Sequence, residues 1–399
     1  MNINIKKLYS IADKKERLII GLMSGTSMDG LDIALCLCKD SGSKTEVKLL
    51  NFITMPYQDD FRADVKSIFS RRDADLEKVC LLNELIGLKH AELILSALTK
   101  WNINPANIDV IASHGQTIFH APKSLHGKKN YPNATLQIGD GDHIAVATGI
   151  ITIADFRQKH LAAGGEGAPL AVYGDYLVFS KKDEDRIMLN IGGIANFTFL
   201  PGDKDATKVF STDVGPGNTL MDQFVQLHYP GIYYDKNAEK ASAGKVNLSL
   251  LKELLENNFF EIGFPKTTGP ELFNLAYLQR AQVNSNTTNI SNEDVLATLC
   301  HFSANAIIDA IEKTTASTKL PKIFMSGGGM HNPLLVKLLK NALPKAIFST
   351  TDELEINPDA KEAVLFALLA NETLAGSPIN FGEREGVPSV CMGKISLPN

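Results

Sequence analysis

The stretch that decides the fold is GLMSGTSMDGLDI, residues 21–33, which follows the apolar run Leu18-Ile19-Ile20 and leads into an alternating segment, 33–37. An extended segment that enters and leaves a turn of Gly, Ser, Thr and Asp predicts a β-hairpin. The tip of such a hairpin presents N–H groups and hydroxyls to an anion, and glycine lets the backbone approach a phosphate closely. Asp29 or Asp32 could hold Mg²⁺ directly or through water. Taken alone, the pattern fits equally well a tight turn that only joins two strands.

The composition is that of an ordinary globular protein without affinity for polyanions. The 399 residues are 44% hydrophobic and 21% charged, and the formal net charge is -5. This length suits two domains with separate cores, and the negative charge gives no attraction to nucleic acid or an anionic membrane. The polar N-terminal segment lacks a signal-peptide pattern, no apolar stretch is long enough for a bilayer, and five cysteines in mostly apolar runs fit a reducing cytosol. We therefore predict a cytoplasmic protein without nucleic-acid or membrane partners.

Two more glycine turns follow predicted strands in the second half of the chain. Residues 186–199 read as strand, turn and strand with Gly192 and Gly193 at the turn, and residues 322–326 run into Gly327-Gly328-Gly329 and then a helix. Three such turns, spread over two halves, predict a bilobed α/β protein with nucleotide in the cleft, on the plan of the actin, hexokinase and Hsp70 group. Neither G-x-x-x-x-G-K-[ST] nor a G-x-G-x-x-G after a strand occurs, so a P-loop is excluded and a Rossmann site is unsupported.

The domain boundary is expected where the pattern restarts. We place the first domain at residues 1–185 and the second at 186–374, with residues 1–16 as a polar leader outside the main core. Apolar residues at helical spacing predict a helix over 76–100. A last Ala- and Leu-rich helix, about 359–374, is expected to cross back to the first domain, and a C-terminal helix over about 375–399 is expected to return there too.

The densest polar cluster of the chain is DFRQKHLAAGGEGAPL, residues 155–170. Phosphoryl transfer needs a base for the nucleophile and cations for the phosphate charge. Asp155, His160 and Glu166 are the candidate bases and Arg157 is the candidate cation. Alternatively, Asp155 and Arg157 form an ion pair that holds the loop, with His160 as a hydrogen-bonded partner. Glu166, which has glycine on both sides, is harder to explain as architecture.

Taken together, these segments resemble the anhydro-N-acetylmuramic acid kinases. The matching pieces run in family order across about 17–395, nearly the whole chain. They are GLMSGTSMDGLDIAL (21–35), SHGQTIFHAP (113–122), LQIGD (136–140), TGI (148–150), DFR (155–157), GGEGAPL (164–170), LNIGGIANFT (189–198), STDVGPGNTLMD (211–222), YDKNAEKASAGK (234–245), FPKTTGPELFN (264–274), SGGGMHNPLL (326–335) and Glu362-Ala363.

The resemblance implies a two-domain actin-like ATPase fold of the ribonuclease H-like type, a cytoplasmic location and a homodimer. Water would open the anhydro bridge of 1,6-anhydro-N-acetylmuramic acid, and O6 would take the γ-phosphoryl of ATP to give N-acetylmuramic acid 6-phosphate during cell-wall sugar recycling. It implies Mg²⁺ at Asp213, directly or through water, and sugar contacts from His114, Gln116, Arg157 and Glu362. The implied ATP-binding residues are Gly25, Thr26, Ser27, Met28, Asp29, Gly30, Leu31, Asp32, Gly192, Gly193, Gly327, Gly328 and Gly329.

The sequence departs from the family pattern at two linked positions. The usual motif is DFR, two variable residues and a catalytic Asp, followed by GGQGAPL, whereas this chain has His160 at the Asp position and Glu166 at the Gln position. Either Glu166 is the base, or His160 is a base that Glu166 orients, since a neutral histidine is chemically competent. Two other interpretations stay open: a kinase for a different sugar, and a nucleotide-binding paralogue with little catalysis.

Overall fold

The computed structural model describes residues 2–25, 28–167, 170–315, 321–354, 358–383 and 386–398. The chain forms two compact units. Unit 1 comprises Met1–Phe179 and Glu355–Asn399, and unit 2 comprises Ser180–Leu354. Unit 1 is therefore built from two separate stretches of sequence, while unit 2 is continuous.

Each unit contains one β-sheet. The strands, in chain order, are β1 (Glu16–Ser24), β2 (Gly30–Lys39), β3 (Glu46–Pro56), β4 (Val110–Ala121), β5 (Ala134–Ile138), β6 (Thr152–Ala154), β7 (Arg186–Ile191), β8 (Ile194–Leu200), β9 (Phe210–Pro216), β10 (Lys322–Ser326), β11 (Ile347–Thr350) and β12 (Lys394–Ser396).

Helices follow or separate these strands. They are α1 (Ile3–Ala12), α2 (Asp59–Ile68), α3 (Leu76–Lys100), α4 (Lys123–His126), α5 (Gly141–Thr148), α6 (Phe156–Ala162), α7 (Ala171–Phe179), α8 (Thr219–His228), α9 (Glu239–Ala243), α10 (Leu248–Leu255), α11 (Leu275–Asn284), α12 (Asn292–Thr315), α13 (Pro333–Ala342) and α14 (Lys361–Ala375). The helix predicted over 76–100 is confirmed as α3, whose first turn Asp75 caps by accepting from the N–H groups of Glu77 and Lys78.

The two sheets share a core of five strands with the same topology. In unit 1 the order is β12-β6-β4-β1-β2-β3, with β1, β2 and β3 antiparallel, β4 and β6 parallel to β1, and β5 paired to β4. In unit 2 the order is β11-β10-β7-β8-β9, with β7, β8 and β9 antiparallel and β10 and β11 parallel to β7. Three antiparallel strands followed by parallel strands on the other side of the first strand is the ribonuclease H-like arrangement. The predicted α/β fold class is confirmed.

Helices on both faces explain why the central strands are apolar on both sides. The helix α14 packs on β1, β2 and β4, and α3 packs on the sheet as well. Seven of the nine residues of β1 are buried, including Ile19, Ile20 and Leu22 with no exposed surface. Successive side chains of such a strand point to opposite faces of the sheet, and both faces are covered. The strand must therefore be apolar at consecutive positions, as the sequence is here.

The C-terminal part of the chain corrects two predictions. The unit boundary lies at residue 355 and not after 374, because α14 packs against the unit 1 sheet. The described residues after α14 are irregular until β12, which pairs antiparallel with β6, so the helix expected over 375–399 is wrong. Glycine and proline recur between 376 and 393 and prevent a continuous helix there.

Two other expectations need correction. Residues 3–12, expected in a polar leader, form α1, which is capped by Asn2, buries Ile11 and contacts α14. In addition, α12 is long and apolar enough by length and composition to cross a membrane, although no such stretch was expected; 72% of its apolar window is buried inside the protein. It is the central helix of the unit 2 core, with Leu296, Cys300 and Phe302 fully buried.

Candidate active site

The first glycine turn joins β1 to β2 in unit 1. Thr26 and Ser27 lie outside the described residues; on either side of them Met28 N–H donates to the Gly25 carbonyl at 3.3 Å, and Met28 has φ 55°. Gly30 begins β2 in close contact with β3, where an added Cβ would lie 2.6 Å from the Met55 carbonyl oxygen. The hairpin predicted from residues 21–33 is therefore present, and glycine is required at its second strand.

A connected set of buried polar side chains is hydrogen-bonded to the backbone of this turn. The Gln116 amide Nε2 donates to the Gly25 carbonyl at 3.3 Å, and its Oε1 accepts from Ser24 Oγ at 2.6 Å. The Tyr57 hydroxyl donates to Ser24 Oγ at 3.0 Å and lies 2.9 Å from His90 Nε2. Gln116 thus holds the turn, and its sugar contact stays a prediction. Tyr57 and His90 were missed because a single Tyr and a single His carry no motif.

Acidic side chains surround the start of β2. Asp32 accepts from the Thr54 hydroxyl at 2.5 Å. Burial raises the pKa of Asp32, the Thr54 hydrogen bond opposes that rise, and the nearby charges of Asp29 and Asp359 add to it. A nearby cation stabilises the ionised form of a carboxyl group that has other carboxylates around it. The described residues nevertheless contain no group of three or more His, Cys, Asp or Glu arranged to hold a metal ion by themselves.

The second and third glycine turns lie in unit 2. Gly192 and Gly193 join β7 to β8, and their carbonyls accept from the N–H groups of residues 217–219 at 2.8 to 3.0 Å. Gly327, with φ 81°, ends β10, and a Cβ there would lie 2.7 Å from Asn190 Oδ1 and the Ile191 carbonyl oxygen. The carbonyls of the β7–β8 turn thus accept hydrogen bonds from within the protein. The turn at Gly327 packs against the end of β7.

Asp213, the predicted magnesium residue, lies on β9 in unit 2. Its Oδ2 accepts from the Thr268 N–H at 2.8 Å. Burial raises the pKa of the Asp213 carboxyl, an effect that the Thr268 bond opposes and Glu271 increases. Mg²⁺ bound to a nucleotide usually keeps several waters and takes only one or two protein carboxylates beside the phosphates. A half-buried carboxylate of fixed orientation therefore fits the metal that the sequence predicts.

Arg157, which is half-buried, bonds to the buried His114 in unit 1. Arg157 Nε donates to His114 Nε2 at 3.0 Å, and His114 Nδ1 lies 3.0 Å from the Gly115 carbonyl oxygen. Because the arginine can only donate and the carbonyl can only accept, the hydrogen of the neutral ring lies on Nδ1. Burial, and secondarily the charge of Arg157, lower the pKa of His114 to about 3. Both ring nitrogens are used within the protein, so contact of His114 with a sugar stays a prediction.

His160, a candidate base, lies in α6 with a fully buried ring. Its Nδ1 accepts from the Gly167 N–H at 3.0 Å, so the hydrogen of the neutral ring lies on Nε2. That Nε2 is buried without a hydrogen-bond partner among the described residues, and the ring contacts Tyr173 edge-on at 5.7 Å between centroids. Burial, helped by the charge of Arg157, lowers the pKa of His160 to about 4. The ring therefore has no free lone pair at neutral pH.

Glu166 lies on the loop after α6 and is exposed. The glycine before it donates its N–H to the His160 carbonyl at 2.9 Å, and the Gly165 carbonyl accepts from Asn133 Nδ2 at 3.3 Å. The glycine after it donates to the His160 ring and accepts from Arg157 Nη1 at 2.7 Å. Every N–H and carbonyl of Gly165 and Gly167 is thus bonded. Ala168 and Pro169 of the GGEGAPL motif lie outside the described residues.

Asp155 pairs with Lys394 of β12, and its backbone is left-handed at φ 55°. The alternative ion pair of Asp155 with Arg157 is therefore wrong, because β12 brings a lysine from the far end of the chain to this carboxylate. Beside it lies a cavity of about 210 Å³ whose lining includes His114, Gln137 and Asp155. No local signal pointed to Lys394, since its pairing depends on β12 joining the sheet.

Glu362 lies exposed in the first turn of α14. Neighbouring protein atoms displace water from its carboxyl and raise the pKa of that group. The positive charges of Arg157 and Lys361 oppose the rise. The structure therefore brings Glu362 into the electrostatic neighbourhood of Arg157, although the two form no ion pair within 4.0 Å among the described contacts. Its contact with a sugar hydroxyl stays a prediction.

Two ribonuclease H-like units with glycine turns after their first strands define the class of actin-like ATPases and sugar kinases. The family model described as anhydro-N-acetylmuramic acid kinase matches residues 17–396. Relatives with that name are 55% identical in Pseudoalteromonas atlantica and 52% identical in Pseudoalteromonas translucida, each alignment covering 100% of both chains. A relative from Caldanaerobacter subterraneus is 40% identical over 98% of this chain and 100% of its own. The chain belongs to the anhydro-N-acetylmuramic acid kinase family.

Proposed function

We propose that this protein uses ATP to convert 1,6-anhydro-N-acetylmuramic acid into N-acetylmuramic acid 6-phosphate. The observation that carries the proposal is the family match, which spans both units and extends to a relative that is 55% identical over its whole length. In the reaction, water adds to the anomeric carbon and gives up a proton, the bond from that carbon to O6 breaks, and O6 takes the γ-phosphoryl group. The products are the 6-phosphate and ADP.

We propose Glu166 as the general base that accepts the proton of water. The alternative base, His160, has one ring nitrogen bonded to a backbone N–H and the other protonated and buried, so it has no accessible lone pair. Glu166 has an exposed carboxylate six residues further on, between glycines whose backbone is held. The exchange of Asp for His and of Gln for Glu would thus move the base from the helix to the loop.

For ATP, we propose that the turns at 25–32 and 192–193 contact phosphates and that 327–329 contacts adenosine. Mg²⁺ would be held beside the phosphates by Asp213, through water, and would neutralise part of their charge. Arg157 supplies positive charge near the candidate base without being free to move, since its guanidinium is fixed by His114 and Gly167.

We propose, from the family resemblance alone, that the protein is a cytoplasmic homodimer. Light scattering of the purified protein tests the oligomeric state, and a mass near 43.4 kDa would contradict a dimer. Fractionation of cells that express the protein tests the location.

The decisive experiment follows the oxygen of water. The protein is incubated with ATP, Mg²⁺ and 1,6-anhydro-N-acetylmuramic acid in ¹⁸O-water, and the product is analysed by mass spectrometry and NMR. We expect one ¹⁸O at C1 and phosphate on O6. ADP formed only with another sugar would instead support a different substrate, which the change at 160 and 166 keeps open. ATP binding without turnover on any sugar would support a weak paralogue.

A further inference from the structure

The structure gives His160 a task that its chemistry as a base does not explain. The ring is fully buried, yet it reaches across from α6 to the loop and accepts the Gly167 N–H. It also sits directly against the loop backbone, because a Cβ on Gly165 would lie 2.2 Å from two ring atoms, Cε1 and Nδ1. The ring thus touches the glycine on each side of Glu166.

The same two glycines carry the other fixed hydrogen bonds of the loop. The Gly165 N–H donates to the His160 carbonyl, and the Gly165 carbonyl accepts from Asn133. The Gly167 carbonyl accepts from Arg157. Gly164 and Gly167 have φ of 94° and 83°, a left-handed conformation that glycine adopts readily. Without an acceptor at position 160, the buried Gly167 N–H would lose its partner, which is unfavourable because neither the protein nor water then accepts from it.

We infer that His160 is a positioning residue that fixes the backbone on both sides of Glu166 and thereby aims its carboxylate. The inference rests on the proposed role of Glu166 as the base. A carboxylate on a loop has more freedom than one on a helix, and a displacement of about 1 Å can cost on the order of 100-fold in rate. In this chain the histidine would compensate for the move of the base from helix to loop.

Two substitutions at position 160 separate positioning from proton transfer. His160→Asn keeps an acceptor close to where Nδ1 lies, whereas His160→Leu fills the space without one. We expect His160→Leu to lower kcat on the order of 10–100-fold while the Kd for ATP stays unchanged, and His160→Asn to restore most of that loss. Equal losses in the two variants, each still folded at the assay temperature by circular dichroism, would overturn the inference and favour His160 as the base.

A measurement without substrate tests the histidine independently. In ¹⁵N NMR of the full-length protein, His160 should stay neutral with its hydrogen on Nε2 between about pH 5.5 and 8, where an ordinary histidine titrates. Titration of His160 in that range would overturn the inference. Failure of the wild type to phosphorylate the anhydrosugar would instead overturn the proposed function. The NMR measurement, which needs no substrate, would still test the protonation state of His160.

Discussion

At the scale of the residue, this site depends on which atoms are already hydrogen-bonded. From the sequence, His160 is a candidate base and His114 and Gln116 are expected sugar contacts, because each is polar and lies in a motif. In the structure their polar atoms bond to the backbone or to other side chains, with the exception of the buried His160 Nε2. Among the candidates near α6, Glu166 combines an exposed carboxylate with a fixed backbone.

Replacement of Glu166 tests the proposed base. Glu166→Gln keeps the shape of the side chain but cannot accept a proton, so kcat should fall on the order of 10²–10⁴-fold, typical of a lost general base. The Kd for ATP, measured by calorimetry, should stay nearly unchanged. Glu92→Gln on α3, which breaks only an exposed ion pair with Lys89, serves as the control and should keep wild-type kcat. Near-normal turnover of Glu166→Gln would remove Glu166 from this role.

The buried histidines should make the stability of the protein depend on pH. Burial lowers the pKa of His90 and His160 to about 4 and that of His114 to about 3. The unfolded chain, with a histidine pKa near 6.5, binds protons first as the pH falls. The contribution of each is therefore complete above about pH 6.5 and is lost as the pH falls toward the folded-state pKa, about 4 for His90 and His160 and about 3 for His114. The loss between pH 7 and 5 is about 2 kcal/mol per histidine.

Urea unfolding at these two pH values checks this expectation. The free energy of unfolding should fall from pH 7 to pH 5 in the wild type, and the fall should be smaller in His160→Asn, which has no group to protonate at that position. An identical fall in both proteins would show that His160 is accessible to protons in the folded state.

At the scale of the element, β1 and α14 pack backbone against backbone at Gly21. A Cβ on Gly21 would lie 1.9 Å from the carbonyl oxygen of Ala363 and 3.0 Å from the Ala367 nitrogen. Backbone atoms of a helix cannot relieve a clash by changing rotamer as a side chain can. A larger residue at position 21 must therefore displace α14 from β1. The glycine that begins the 21–33 motif is thus explained by packing.

Gly21→Ala should lower the free energy of unfolding by about 1–3 kcal/mol or more, as expected for overpacking. Gly263→Ala is the matched control, because an added Cβ there meets nothing within 4 Å and its backbone is not left-handed. Denaturant unfolding of both variants gives the comparison. If Gly21→Ala were as stable as Gly263→Ala, α14 would be free to shift on the sheet.

The elements that could be predicted from sequence are those with strong local signals. The hairpins around Gly25 and Gly192 and the helix α3 carry alternation, glycine turns or helical spacing over many residues. Other features depend on partners distant in sequence. The SHGQT segment, residues 113–117, is part of β4 because β1, β5 and β6 pair beside that strand, and β12 forms because β6 offers an edge. The burial of His160 likewise depends on a loop that folds back onto it.

At the scale of the whole molecule, the same sheet topology occurs in a continuous unit and in a split unit. Unit 2 has its own core, in which residues from β7, α8 and α12 pack together. Unit 1 is incomplete without residues after 355, since α14 buries Phe366 and Leu368 and packs on β1, β2 and β4. A unit with its own core and continuous sequence meets the requirements for independent folding.

A fragment comprising residues 180–354 should therefore unfold cooperatively, with circular dichroism showing a single thermal transition. A fragment comprising residues 1–354 should show that same transition while its unit 1 part binds hydrophobic dyes, because the apolar surface that α14 covers is exposed. A fully folded unit 1 in the second fragment, judged by hydrogen exchange in β1 and β4, would contradict this expectation.

The split of unit 1 also has a consequence for synthesis in the cell. The ribosome makes β1 to β6 first, then all of unit 2, and only afterwards α14 and β12. At about 5–20 residues per second, the first strands wait on the order of ten seconds or more for the helix that covers them. During that interval their apolar face is available to chaperones and to other nascent chains. The last helix to be made therefore ends the period in which the first-made strands can aggregate.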